Sequence, residues 1–187
     1  MKQKIFLAAF LSLSVLFMAF SSSPKEDAKK NKYLGANTCA KMCHKTEKQG
    51  EQLKIWQESD HSKAYKTLLK PESDEISKKL GKGDKASESE FCLKCHVTGH
   101  GEDPTLFDEK YSKEDGVQCE SCHGAGSEYK TMKIMKDRQE AIKNGLKYHE
   151  NKEEYCVGCH NSESPTYKEF KFEDKWAKIK HYVPKEK

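Results

Sequence analysis

Eight cysteines stand in this 187-residue chain, and every one belongs to a close pair. Three pairs read Cys-x-x-Cys-His: Cys92-Leu-Lys-Cys95-His96, Cys119-Glu-Ser-Cys122-His123 and Cys156-Val-Gly-Cys159-His160. The fourth, Cys39-Ala-Lys-Met-Cys43-His44, has one more residue between its thiols. At this spacing one tight turn carries two thiols to the two vinyl groups on one edge of a porphyrin. The histidine that follows swings its imidazole under the ring and binds the iron. The pattern is the signature of covalent c-type haem attachment, and the longer loop at Cys39 reads as a haem site with a one-residue bulge. The expected cofactor is therefore four covalently bound haem c. Paired cysteines also build zinc sites, and eight could close four disulfides in an exported protein. Neither chemistry asks for a histidine after the second cysteine of every pair. A redox CxxC is expected once, not four times.

The histidines extend the argument. Four of the eight, His44, His96, His123 and His160, follow the thiol pairs, and four remain: His61, His100, His149 and His181. A haem with imidazole on both faces has no open position for a substrate, so it passes electrons and does little else. Methionine is the other common second ligand. Once the first residues are removed only Met42, Met132 and Met135 are left, and Met42 lies inside an attachment loop. His61 falls in a helical stretch, Gln52–Leu69, with Leu53, Trp56, Ala64, Tyr65 and Leu68 on the same side,. An imidazole on that apolar stripe needs a partner, and iron is one. His100 follows His96 too closely to reach the far face of the same ring, so it serves a neighbouring haem or merely lies beside one. His149 ends a helical stretch ahead of His160, and His181 shares the last helical segment with Trp176 and Ile179. Each spare histidine also has an ordinary reading as a surface or helix-face residue.

The elements that must position these groups are poor in core material. Apolar residues make up 35% of the chain, and 15 of them fall in the first 21 positions. The remainder is about 30% apolar, too little for a conventional core at this length. Met1–Ser23 combines Lys2 and Lys4, an apolar run from Ile5 to Phe20 and three serines. This describes a secretory signal peptide, cut after Ser21. An uncleaved anchor is the alternative, though the run is short for a span of about 20 residues. Membrane contact is expected only if that segment is retained. Residues 22–32 read as a flexible charged tether and 33–187 as the haem domain. Loss of Lys2 and Lys4 lowers the formal charge from +4 to +2, too weak to argue for nucleic acid. Pro71 and Gly81 would frame one short helix, but a solvated excursion is the preferred reading of Lys70–Glu90. Ser127–Asn144 reads as one helix capped by Gly145, with Met132, Met135 and Ile142 at haem edges or in plain core packing. Gly99, Gly101, Gly116, Gly124 and Gly126 flank the motifs, where close approach to a porphyrin leaves no room for side chains. Four porphyrins would supply the missing apolar centre, so the haem-free chain is expected to be largely unfolded.

Longer stretches carry a resemblance. Tyr33-Leu-Gly-Ala-Asn-Thr-Cys39, Trp56…Ser59-Asp-His61, Cys92-Leu-Lys-Cys-His-Val-Thr-Gly99 and Gly116-Val-Gln-Cys-Glu-Ser-Cys-His-Gly124, with four motifs in matching order, resemble the multihaem cytochrome c-554 family. The resemblance implies a mainly α fold with little β-structure, wrapped around four haems in stacked pairs. It implies electron transfer between periplasmic redox partners, with three haems bearing two histidines and one, by order that of His96, bearing one. The CxxxCH at Cys39 departs from the usual spacing. The leading expectation is thus an exported tetrahaem electron carrier with donor and acceptor proteins as partners. A small reductase acting on nitrogen oxides or hydroxylamine at a five-coordinate haem is the rival, and a subunit feeding a larger oxidoreductase is the third option.

Overall fold

The computed structural model describes residues 30–40 and 44–182. The signal segment, nearly all of the tether, Met42, Cys43, Lys185 and Lys187 lie outside the described residues. Among the described residues the chain forms short helices and loops, and its one β-contact is an isolated bridge between Tyr33 and Phe107. The mainly α expectation is met. The helices are α1 (Ala36–Cys39), α2 (Gln52–Glu58), α3 (Ala64–Leu68), α4 (Pro71–Lys79), α5 (Glu90–His96), α6 (Cys119–His123), α7 (Met132–Met135), α8 (Arg138–Lys143), α9 (Lys152–Cys156) and α10 (Phe172–Ile179). The longest has nine residues, below the length at which a helix is stable alone, so each depends on what it packs against.

Two stretches expected to be single helices are interrupted, each by its own polar chemistry. Gln52–Leu69 breaks at Ser59, whose backbone is extended. The Ser59 hydroxyl donates to the Trp56 carbonyl, and the Ser62 hydroxyl donates to the carbonyls of Gln57 and Ser59. Short hydroxyl side chains offer the backbone this alternative to helical bonding. His61 therefore opens a single 3-10 turn, His61–Lys63, between α2 and α3, and its carbonyl accepts from Val117 N–H at 3.0 Å. The stretch from Ser127 divides at Asp137, whose carboxylate accepts from Gln139 and Glu140 N–H and so starts α8 afresh,. Gly145 then closes α8 with φ of 100°. Gly145 N–H reaches Ile142 O and Leu146 N–H reaches Ala141 O, the two bonds of a Schellman end.

The segment read as a solvated excursion is folded. Pro71 starts α4 and Gly81 (φ 65°) follows its end. Ser77 is fully buried, and the Asp74 carboxylate accepts from Lys85 Nζ at 2.8 Å and from Ala86 N–H at 2.9 Å. Polar composition was misleading because a single side chain, Asp74, ties the helix to the loop behind it.

Little of the interior is large and apolar. Among the described residues the buried apolar set is Leu34, Ala36, Ala40, Tyr65, Leu68, Ala86, Tyr129 and Ala141, half of it alanine. Beside it lie buried Thr98, Gln118 and Glu120, residue types seldom hidden unless fully hydrogen-bonded. The side chains thus form a thin shell around the cysteine motifs.

Candidate haem-binding sites

The second and third motifs each occupy one short helix. In α5, Cys92 and Cys95 lie three residues apart, on the same side of a helix, with His96 one step further,. Helix α6 repeats this for Cys119, Cys122 and His123. It stops at Gly124, where φ is 77° and an added Cβ would lie 2.9 Å from the Gly145 carbonyl oxygen. Gly116, on the other side of α6, has φ of 68° and would place a Cβ 2.7 Å from the His61 carbonyl oxygen. What crowds these two glycines is therefore backbone from elsewhere in the chain. The fourth motif begins at the end of α9, and the Cys156 carbonyl accepts from the N–H of both Cys159 and His160. For the first motif, α1 ends at Cys39, and the His44 carbonyl accepts from Leu53 N–H at 2.9 Å. The one-residue bulge lies outside the described residues.

Contacts between motifs arrange them in a series. The Cys39 and Cys119 thiols lie beside one another, and their interaction together with burial pushes Cys39 well above the usual thiol range. Cys95 and Cys159 lie beside one another too, and that interaction, with Lys94 adding a smaller pull, lowers Cys95. The Tyr155 hydroxyl, one residue before Cys156, donates to the Ser121 carbonyl within the third motif. The motifs therefore touch in the order first, third, fourth, second.

The spare histidines fall into two groups. His61 faces His160 with ring centroids 6.0 Å apart, and His181 faces His123 at the same separation. Two metal–imidazole bonds of about 2 Å each plus the half-widths of two rings add to about 6 Å, so either gap fits one iron between two imidazoles. His181 Nδ1 lies 2.9 Å from the Ile179 carbonyl oxygen, and His96 Nδ1 lies 2.8 Å from that of Ala64. A backbone carbonyl on Nδ1 fixes the ring and its tautomer and leaves Nε2 for a metal. The other two histidines are used differently. His100 Nε2 meets the Glu90 carboxylate at 2.6 Å, and His149 Nε2 meets the Cys122 carbonyl oxygen at 2.8 Å. His149 also lies on the Tyr155 ring at 3.8 Å between centroids. The structure thus brings His61 and His181 opposite motif histidines, while it engages His100 and His149 at Nε2 and leaves Nδ1 as their free ring nitrogen.

Burial governs the protonation of this cluster. It lowers His123 to about 4, helped by the neighbouring His181, His149 and His44. His61 and His160 are also lowered, first by burial. All three are kept neutral, the form that binds a metal.

Two buried side chains that the motif search did not single out support the third motif. Gln118 Oε1 accepts from Ala36 N–H at 2.7 Å, and its Nε2 donates to the Ser112 carbonyl at 2.8 Å. Glu120 accepts from Leu34, Gly35 and Gly126 N–H. Burial pushes the Glu120 carboxyl up, and the three N–H donors oppose it. Their only trace in the sequence is their place in Gly116-Val-Gln-Cys-Glu-Ser-Cys-His-Gly124. Met132 and Met135 lie on α7, a single turn ahead of the Asp137 cap, and are not part of the buried core.

A family model described as cytochrome c554 and c-prime matches residues 38–124. The cytochrome c-554 of Nitrosomonas europaea is 30% identical over 173 residues, covering 84% of this chain and 68% of that one. No solved structure matches the chain. With the motif order, the facing imidazoles and a helical shell poor in core residues already in view, this likeness over most of both chains establishes that the protein belongs to the cytochrome c-554 family: a c-type cytochrome with covalently bound haem, acting in electron transfer.

Proposed function

We propose that residues 33–187 form a tetrahaem domain, exported to the periplasm behind a signal peptide cut after Ser21, that relays electrons between a donor and an acceptor protein. Each haem would be held by one thiol pair: Cys39 and Cys43, Cys92 and Cys95, Cys119 and Cys122, Cys156 and Cys159. His44, His96, His123 and His160 bind the irons from one side, and His61 and His181 bind from the other at the fourth and third sites. When bound, haem supplies a one-electron iron couple whose potential depends on ligands, burial and nearby charge. The polypeptide does the rest. It orients imidazoles through backbone carbonyls, keeps them neutral by burial, and joins the motifs without a break. That unbroken contact order is the observation that carries the reading, because a relay needs its centres adjacent. The intact mass of protein matured in a cytochrome-assembling host tests it. A polypeptide beginning at Ser22 plus four haems is expected, and a load of three would remove the CxxxCH site.

A second reading is favoured by one observation: the Nε2 atoms of His100 and His149 are already engaged. The sites of His96 and His44 then lack an imidazole opposite. At the second site an open position would allow a small ligand such as nitric oxide to bind, and chemistry with it. Here a high-spin ferric signal that shifts with cyanide or nitric oxide is expected. Purely low-spin iron in the holoprotein would leave the relay alone.

A further inference from the structure

Glu120 lies inside the third motif, between the two cysteines, and is 2% exposed. Leu34 N–H approaches both of its oxygens, at 2.8 and 2.9 Å. Gly35 N–H reaches Oε2 and Gly126 N–H reaches Oε1, each at 2.8 Å. Every contact is donated to the carboxylate. A proton on either oxygen would need an acceptor, and each oxygen instead faces backbone hydrogens. Among the described residues Glu120 joins no ion pair, so backbone dipoles alone hold its charge. It sits where the first motif meets the third. Its charge acts on both of the thiols in contact there, Cys39 and Cys119.

We infer that Glu120 carries, at neutral pH, a buried negative charge that favours the ferric state at the first and third attachment sites and so directs electrons from that pair toward the fourth and second. A charge in a weakly polarisable interior acts strongly on its neighbours and is barely screened by salt. The contact order confines its effect, since the second and fourth motifs meet elsewhere, at Cys95 and Cys159. The inference rests on the tetrahaem reading above. It makes Glu120 a positioning and tuning residue that touches no reacting atom.

The test uses the whole mature holoprotein with Glu120→Gln and Glu120→Asp. Intact mass comes first: a wild-type protein without four haems would fail the tetrahaem reading and leave Glu120 aside. Spectroelectrochemical titration at neutral pH follows. With Gln, two of the four haems are expected to hold roughly tenfold more ferrous iron at a fixed applied potential, a rise of about 59 mV for a one-electron couple. The other two stay in place. Asp keeps the charge on a shorter arm, so it lowers the melting temperature as Gln does but leaves the four potentials at their wild-type values. The inference is overturned if Gln leaves all potentials unchanged, moves all four alike, or is matched by Asp. Should Gln fail to mature, the wild-type protein gives the answer. Between about 0.01 and 1 M salt the Debye length falls from about 30 to about 3 Å. A buried charge keeps the offset between the two haem pairs across that range, and an offset that closes with salt would sink the idea.

Discussion

From Tyr33 to Gly126 the first and third motifs share a seam in which Gln118 and Glu120 are 2% exposed and accept hydrogen bonds from the distant segment Leu34–Ala36. From Lys152 to Tyr182, the stretch that carries the fourth motif, neither α9 nor α10 contains a buried residue. The first region is held by a buried polar network as well as by the groups its motifs attach. Its buried amide and carboxylate can be satisfied in only one arrangement, and leaving them unmet would cost about 1–3 kcal/mol per group. The second region has no such network. Its contacts with the remainder centre on the motifs, with His160 against His61, Cys159 against Cys95 and Tyr155 on the third motif, joined by the Lys94–Glu163 ion pair and the packing of α10 on α2.

Removing each motif in turn would break that comparison most severely. Cys156→Ala with Cys159→Ala is expected to give a protein one haem lighter, with residues up to about Leu146 still protected from protease. Cys119→Ala with Cys122→Ala removes the group around which the seam closes, and no stable product is expected. Intact mass and limited proteolysis distinguish the two. Equal survival of both variants would mean that the two regions depend on haem to the same degree.

A smaller effect probes a place where the seam reaches the fourth site. Gly116→Ala would put a methyl group 2.7 Å from the His61 carbonyl oxygen and 3.1 Å from Ala64 N, at a φ of 68°. Strain and clash together are expected to cost about 2–3 kcal/mol. Because His61 must move, part of the low-spin signal at the fourth site should be lost as well. Gly81→Ala is the control. Its φ is 65° but nothing lies within 4 Å, so only the backbone cost of about 1 kcal/mol remains, with an unchanged spectrum. Thermal melts and the ferric spectrum read both variants.

The sequence made these sites legible to an uneven degree, for physical reasons. Thiol pairs followed by histidine are fixed by the chemistry of a rigid porphyrin edge, so local spacing is enough to find them. The helix-rich shell was implied by the family resemblance, and Pro71 and Gly81 frame α4 although the polar residues between them favoured a solvated excursion. The bend at Ser59 and the restart at Asp137 were missed, because one side-chain bond to the backbone outweighs a helical pattern over a few residues,. The partners of the spare histidines were legible only in part. The apolar residues around His61 called for a partner, but nothing local named His160 as the imidazole it faces or Glu90 as the carboxylate that holds His100. Such pairings join residues far apart along the chain, and no local pattern encodes them. Glu120 and Gln118 were hidden for the same reason: each works on backbone more than 80 positions away.

Acid sharpens the comparison with the mildest intervention. His123 is lowered to about 4 by burial, and His61 and His160 move in the same direction. In the unfolded chain all three return to about 6.5. Between about 6.5 and about 4 the unfolded state therefore binds protons that the native state refuses. The stability held by these imidazoles is whole above that window and drains away as pH falls through it. Protons also compete with a metal for the same lone pairs. Glu120 in the seam responds with the opposite sign. Its carboxyl is raised by burial, so the native state takes up its proton before the unfolded chain does. Acidification just above the usual carboxylate range costs the seam nothing on that account. Lowering the pH from 8 to 4 should therefore convert low-spin to high-spin haem, followed in the Soret region, before helical signal is lost in the far ultraviolet. Coincident transitions would show that the imidazole pairs and the polar seam form a single cooperative unit, and that the two regions differ in composition but not in what holds them together.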